Sequence, residues 1–142
     1  MINLKTGDIG PDVGEYIVGR SIDRMQFEKM NEAYIRKIWD VGNGYIWFYS
    51  SDQIINGEKF MLAVCYRPDQ KLGRIQLSII TSKHANSWEE WDEQKEREIK
   101  VLQDKWLLEN FNIVEGKTFN WGTIKSLYDD KSGSSYISIK YI

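Results

Sequence analysis

The sequence predicts a single α+β domain over residues 1–142, with a mainly antiparallel sheet packed against two helices. The length is close to the commonest size of one domain, and 42% apolar with 28% charged residues is usual for a folded globule. Apolar residues recur at helical spacing in two separate segments. Between and after these segments lie β-branched and aromatic runs separated by turn residues, a pattern typical of antiparallel strands.

The first helix is predicted near residues 23–41. Its apolar face would be formed by four residues at spacings of three, four and four: Phe27, Met30, Tyr34 and Ile38. Asp23 is a candidate N-cap, and Gln26 three residues later completes a variant capping box. The glycines of the Gly42-Asn43-Gly44 segment should end the helix.

A β meander is predicted next, with three strands: Tyr45–Ser50, Phe60–Arg67 and Arg74–Thr81. Asn56-Gly57 lies between the first two, where a type I′ turn requires positive φ at both central positions. The second strand is apolar on both faces and should therefore be central and covered on both sides. In the third strand Ile75, Leu77 and Ile79 should face inward.

The long helix is predicted near residues 87–110. Ser87 followed by Glu90 forms a capping box, in which each side chain satisfies an otherwise unpaired backbone amide. Acidic residues crowd the first turns, where the helix dipole favours negative charge. Glu93 with Arg97 makes a favourable i,i+4 pair.

A second hairpin is predicted at the C-terminus. Its first strand covers Phe119–Tyr128, with a bulge at Gly122, and Asp129–Gly133 forms the turn. The second strand covers Tyr136–Ile142. Its alternation predicts one wet face, which would hold Ser138 and Lys140.

Composition also restricts the partners and the compartment that we expect. The net charge is −2 and basic residues are not concentrated in a stripe, so nucleic acid is not an expected partner. A single cysteine excludes an intrachain disulfide. The N-terminus lacks the apolar core of a signal peptide, and no apolar run approaches the ~18 residues of a membrane span. We therefore expect a cytoplasmic protein that does not enter the membrane.

No motif in the sequence predicts catalysis. Gly116-Lys117-Thr118 resembles the end of a phosphate-binding loop, but it follows a predicted helix and precedes a strand, the reverse of the required order. His84 has no Cys or carboxylate partners at metal-binding spacing. Cys65 lies among apolar strand residues and is expected to be a buried thiol. We therefore expect no enzyme activity, no cofactor and no metal site.

An acidic segment is the feature that most favours a partner-binding site. Between Glu89 and Glu98 there are six carboxylates and two basic residues, a local charge of −6 + 2 = −4. This segment is either a solvated helix face with acids placed favourably for the dipole, or an anionic and aromatic docking surface for a basic partner. The docking hypothesis gives six candidate residues: Trp88, Glu89, Glu90, Trp91, Asp92 and Glu93.

The C-terminal segment resembles a known class of proteins. Phe119–Asp129, followed by Lys131-Ser132-Gly133 and Ile139-Lys140-Tyr141, is similar to the C-terminal strand pair of small bacterial immunity proteins from polymorphic toxin systems. The resemblance covers about 24 of the 142 residues. It implies a compact cytoplasmic α+β protein that binds and blocks a toxin domain. Many such toxins are basic nucleases, so the resemblance also implies that an acidic surface could mimic their substrate.

The sequence therefore predicts a protein-binding module, an immunity-type inhibitor whose partner could be a basic toxin domain. The alternative is a domain that binds a small ligand or acts as an enzyme through an aromatic-lined pocket. The pocket would be built from four residues: Trp47, Tyr49, His84 and Trp121.

Overall fold

Seven antiparallel strands form one sheet in the computed structural model, which describes residues 1–81 and 92–142. The strands are β1 (Ile35–Asp40), β2 (Ile46–Ile55), β3 (Glu58–Tyr66), β4 (Leu72–Ile79), β5 (Lys117–Phe119), β6 (Gly122–Asp129) and β7 (Ser134–Tyr141). Two helices accompany them, α1 (Arg24–Met30) and α2 (Glu93–Phe111), with a short 3₁₀ turn at Glu32–Tyr34. The predicted α+β class with a mainly antiparallel sheet is confirmed.

The strand order across the sheet is β1-β2-β3-β4-β7-β6-β5. The meander β1–β4 is joined to the C-terminal strands by the pairing of β4 with β7, in which Ile75 lies opposite Ile139 and Leu77 opposite Ile137. This pairing joins segments that α2 separates in sequence, so the meander and the C-terminal strands contribute to one continuous hydrophobic core.

One face of the sheet carries this core. A row of side chains without solvent exposure crosses it from strand to strand: Phe48, Val64, Ile75, Ile139 and Ile124. Helix α1 packs there through the ring of Phe27, 5.3 Å from that of Phe48, and α2 packs there through Trp106, 4.8 Å from Phe60. Because neighbouring strand residues point to opposite faces, the alternate residues form a second face, which we call the open face.

Helix α1 is shorter than predicted. The capping box at its start is present, since Gln26 N–H donates to the Asp23 carboxylate and Asp23 N–H donates to the Gln26 side chain. The helix ends at Met30 because the buried Asn31 side chain bonds the carbonyls of Phe27 and Ile17. The second half of the predicted helix is instead β1, and Ile38 belongs to that strand.

The hairpin predicted at Asn56-Gly57 is confirmed, with φ of 46° and 80° at the two residues. Both turn amides donate to the carboxylate of Asp12, at 2.9 and 2.8 Å. The N-terminal segment therefore holds this turn of the sheet, a contact that the sequence did not predict.

The C-terminal hairpin differs from the prediction in its first strand. Phe119 and Gly122 face each other across the two-residue turn Asn120-Trp121, so the predicted strand is divided into β5 and β6 and Gly122 is not a bulge. The division places Trp121 in the core, where its indole N–H donates to the carbonyl of Leu4 at 2.8 Å. Ser138, predicted to face solvent, is buried because the larger Gln76 and Lys125 flank it on β4 and β6.

Helix α2 begins at Glu93 with Asp92 as its N-cap, and Asn112 follows its last residue in the left-handed conformation. The predicted start at Ser87 lies outside the described residues. Neither helix in the described ranges is long and apolar enough to cross a membrane.

Candidate functional site

The described part of the acidic segment is used by the fold itself. The Asp92 carboxylate accepts a hydrogen bond from the Gln94 N–H at 2.8 Å, which caps α2. The Glu93 carboxylate lies 3.1 Å from the Arg97 guanidinium, and this hydrogen bond raises the pKa of Arg97. The other four candidate residues, Trp88, Glu89, Glu90 and Trp91, lie outside the described residues.

A third carboxylate of the segment is buried. Glu96 is 5% exposed and its Oε1 accepts the backbone N–H of Ser135 at 3.1 Å, while the Ser135 hydroxyl donates to the Glu96 carbonyl. These bonds attach the first turns of α2 to the start of β7. Helix capping, an ion pair and this attachment involve three of the six carboxylates, of which Asp92 and Glu93 remain exposed.

The residues of the alternative aromatic pocket do not meet in one place. Trp121 is buried on the core face, whereas Trp47 and Tyr49 point from β2 to the open face. The ammonium of Lys37 lies 5.7 Å from the centre of the Tyr49 ring. The fourth residue, His84, lies outside the described residues.

The thiol of Cys65 is buried, as the sequence predicted, and burial raises its pKa. Among the described residues, no three His, Cys, Asp or Glu side chains are grouped so that they could hold a metal ion.

An aromatic surface lies at the β1 edge of the open face. We call it the edge patch and define it by five residues on the β1–β2 hairpin: Trp39, Val41, Tyr45, Trp47 and Tyr49. Trp39 lies directly opposite Trp47, and the Val41 N–H donates to the Tyr45 carbonyl, so these side chains adjoin on one face. Trp39, Val41 and Tyr45 are 50%, 42% and 41% exposed.

The edge patch ends at a strand edge that is open for pairing. Strand β1 is the outermost strand of the sheet, and five of its six residues are exposed. In an antiparallel ladder alternate residues turn their backbone groups outward. Since Trp39 faces Trp47 at a hydrogen-bonded position, the outward groups belong to Ile38 and Asp40. Such an edge is a template for another chain.

A cavity of about 400 Å³ adjoins the edge patch on the open face. It lies where the β1–β2 loop meets the ends of β3, β4 and β7, and it contains three cations and no carboxylate among its lining residues. One of the cations, Arg67, makes two hydrogen bonds to Asp69 at 3.2 and 3.3 Å. The other two are Arg74 and Lys140, which lie directly opposite each other on β4 and β7.

A larger groove of about 790 Å³ separates α2 from β6. Its charged residues are mixed in sign, and several form ion pairs: Lys100 with Asp104 at 2.8 Å, and Arg97 with Glu93. Arg97 also lies 4.5 Å from the Tyr128 ring. The hydroxyl of Ser126 in this groove is buried and has no hydrogen-bond partner within residues 1–81 and 92–142. Most charged side chains of the groove are therefore already paired with other residues of the fold.

No protein-family model, curated protein or solved structure matches this chain. The class that the structure itself defines is a single α+β domain whose seven-stranded antiparallel sheet is packed on one face by two helices.

The sequence indicated only part of these surfaces. Tyr45, Trp47 and Tyr49 alternate in the predicted first strand, which was a signal that they share a face. The sequence did not indicate that Trp39 belongs to this surface, because Trp39 lies inside the predicted first helix. Arg74 and Lys140 are 66 residues apart in sequence, since 140 − 74 = 66, and only the pairing of β4 with β7 brings them together.

Proposed function

We propose that the protein is a protein-binding module, an immunity-type inhibitor that binds and blocks a toxin domain through its edge patch. The observation that carries the proposal is the exposure of Trp39, Val41 and Tyr45 side by side on an edge hairpin. These side chains are not needed to fill the core, which lies on the other face of the sheet.

The residue types of the edge patch suit a binding surface. Trp and Tyr are enriched among the residues that contribute most to protein–protein affinity, because they bury a large area with few rotatable bonds. Lys37 is exposed on the same strand, and its ammonium lies 5.7 Å from the centre of the Tyr49 ring. This gives the patch a polar, charged margin, as is common around the apolar centre of an interface.

The finer part of the proposal, a toxin as partner, is supported by the resemblance of residues 119–142 to the terminal strand pair of immunity proteins. A second line of support is the open edge of β1, which could take up an extended segment of a partner as an added strand. The acidic segment remains a second candidate surface, for a basic toxin, through Trp88, Glu89, Glu90, Trp91, Asp92 and Glu93.

A growth assay with separable variants tests the proposal. Candidate toxin domains, chosen from the genes that neighbour this one, are expressed from an inducible promoter with and without the protein, and affinity is measured on each purified pair. Trp39→Ala should weaken binding by about thirtyfold or more, the effect of losing an interface residue worth about 2 kcal/mol. The pair of substitutions Glu89→Lys and Glu93→Lys tests the acidic segment in the same assay.

Met25→Ala is the matched control, because Met25 is an exposed apolar residue on α1, outside the edge patch. It should change neither growth rescue nor affinity. Loss of rescue with the charge-reversed pair but not with Trp39→Ala would move the interface to the acidic segment. Absence of any complex, together with self-association that Trp39→Ala abolishes, would overturn the proposal in favour of a homodimer.

A further inference from the structure

Arg74 and Lys140 form an unusual pair of like charges. They are directly opposite each other on neighbouring antiparallel strands, in the interior of the sheet rather than at its edge. Like charges at opposite positions destabilise a strand pair. Within residues 1–81 and 92–142 no carboxylate lies within ion-pair distance of either side chain. Among the residues that the structure describes, these two adjacent cations are therefore not neutralised by an ion pair.

The cavity beside this pair has the size and walls of a ligand site. Its volume of about 400 Å³ falls in the range of small-molecule pockets, roughly 300–1,000 Å³. Trp47 and Tyr45 supply aromatic surface, and Arg67, which is paired with Asp69, also lines the cavity. Gly73 adjoins Arg67 so closely that an added Cβ would lie 2.8 Å from the Arg67 Cγ, so a glycine at this position leaves room for that side chain.

We propose that this cavity binds a small aromatic anion, a molecule that carries a phosphate or carboxylate group on a planar ring system. The anionic group lies between Arg74 and Lys140, and the ring lies against Trp47. A planar guanidinium donates two parallel hydrogen bonds to a carboxylate or phosphate, and the lysine ammonium adds a compact second charge. Such an anion offsets the repulsion between the two cations. This inference does not depend on the toxin-binding proposal.

Three probes measure separately how much the ring and the anionic group contribute to binding. Adenosine 5′-monophosphate carries both ring and anion, inorganic phosphate carries only the anion, and adenosine carries only the ring. Binding to the whole protein is measured by calorimetry, and the site is located by amide chemical shifts in the NMR spectrum. We expect the nucleotide to bind most tightly, phosphate more weakly and adenosine weakest, with shifts centred on Gly73, Arg74 and Lys140.

Neutral variants test the cation pair. Arg74→Gln and Lys140→Gln should each weaken nucleotide binding by about tenfold, the effect of losing one charge-assisted hydrogen bond. Lys125→Gln is the matched control, because this exposed lysine lies on β6 and does not line the cavity, and it should change affinity less than twofold. Since Lys140 is exposed, its replacement should leave the fold intact even if Arg74→Gln does not fold.

Four results would overturn the inference: no detectable binding of the nucleotide or of phosphate, affinities unchanged in both neutral variants, adenosine binding as tightly as the nucleotide, or amide shifts centred on the groove between α2 and β6. Binding that falls with added salt and is lost in both variants would support it, since salt screens the exposed charges. A variant that loses nucleotide binding but retains the toxin complex would show the two surfaces to be independent.

Discussion

At the scale of single residues, Asn31 decides where the first helix ends and the sheet begins. Its side-chain oxygen accepts the Ile17 N–H at 2.9 Å, and its amide group donates to the Ile17 carbonyl at 2.8 Å and the Phe27 carbonyl at 3.1 Å. The residue is fully buried, so these bonds replace those that water would make. The Asn31 side chain thus bonds the N-terminal segment to α1, and the residues that follow it form β1.

Asn31→Ala should lower the free energy of unfolding by about 1–3 kcal/mol, because it removes the buried amide that bonds the Phe27 carbonyl and both backbone groups of Ile17. Urea denaturation monitored by circular dichroism measures the loss. Asn43→Ala is the control, since Asn43 is exposed in the β1–β2 loop and makes one long hydrogen bond of 3.4 Å. Its effect should stay within about 0.5 kcal/mol. Equal effects of the two substitutions would contradict the role given to Asn31.

At the scale of elements, the β5–β6 hairpin requires Gly122 because of a packing contact that cannot be predicted from the sequence. Gly122 closes the two-residue turn and packs against β7, where an added Cβ would lie 1.9 Å from the Lys140 carbonyl oxygen. The neighbour is backbone, which cannot rotate away. This close approach is also what brings Trp121 into the core, stacked parallel to Phe119 with ring centres 5.1 Å apart.

Gly122→Ala should therefore destabilise the protein by about 3 kcal/mol, the upper end of the usual cost of overpacking, because the backbones of β6 and β7 must separate. Thermal unfolding measures this change, and near-ultraviolet circular dichroism reports on the packing of Trp121. Gly10→Ala is the matched control: its added Cβ would lie 3.6 Å from the nearest atom, an ordinary contact. A mild effect at Gly122 would mean that the hairpin adjusts more easily than its geometry indicates.

At the scale of the whole molecule, the N-terminal segment, residues 1–22, connects parts of the sheet that are distant in sequence. Asp12 holds the β2–β3 turn, Leu4 accepts the Trp121 N–H, and the Gly7 carbonyl accepts the Tyr141 hydroxyl at 2.7 Å. Burial raises the pKa of Tyr141, so this hydroxyl stays protonated and able to donate at neutral pH. Stability of the meander and of the C-terminal hairpin should therefore be coupled through this segment.

The contribution of Asp12 should depend on pH. Hydrogen bonds from the Gly57 and Asn56 amides hold the pKa of Asp12 below that of an ordinary carboxyl group, about 3.9. A lowered folded-state pKa stabilises the protein above the unfolded-state pKa, and that stabilisation is lost as the pH falls through the folded-state value. Because solvent screens this exposed carboxylate, Asp12→Asn should cost at most about 1 kcal/mol at pH 7, and the difference from the natural chain should shrink below about pH 4.

Urea unfolding of the natural chain and of Asp12→Asn at a series of pH values measures this dependence. Asp52→Asn is the control, because Asp52 is exposed on β2 and accepts no hydrogen bond from the residues that the structure describes. A constant difference between Asp12→Asn and the natural chain across the whole pH range would show that the charge on Asp12 does not contribute.

The two proposed surfaces also belong to the scale of the whole molecule. The edge patch and the cation pair share the open face, although they come from three separate parts of the chain. The acidic segment, in contrast, is continuous in sequence, which is why it was the site that the sequence predicted. Of its described carboxylates, Asp92 and Glu93 are exposed whereas Glu96 is buried, and the docking surface there stays a prediction.

The elements whose cause is local could be predicted from the sequence. The Asn56-Gly57 turn follows from the positive φ that these two residues tolerate, the alternation of Ile75, Leu77 and Ile79 from the period of a strand, and the start of α1 from its capping box. Each of these depends on interactions within a few residues, and each was predicted.

Features that depend on distant partners are visible only in the folded chain. The spacing of Phe27, Met30, Tyr34 and Ile38 fits one helix, yet α1 ends at Met30 and β1 forms from Ile35 onward, because pairing with β2 and the bonds of Asn31 stabilise the strand more. In the same way, the division of the predicted strand at Trp121 is stabilised by Leu4 and Tyr141, and Arg74 meets Lys140 only through the β4–β7 register. The periodicity of a segment shows which secondary structure it favours locally, whereas burial against distant residues determines which secondary structure forms.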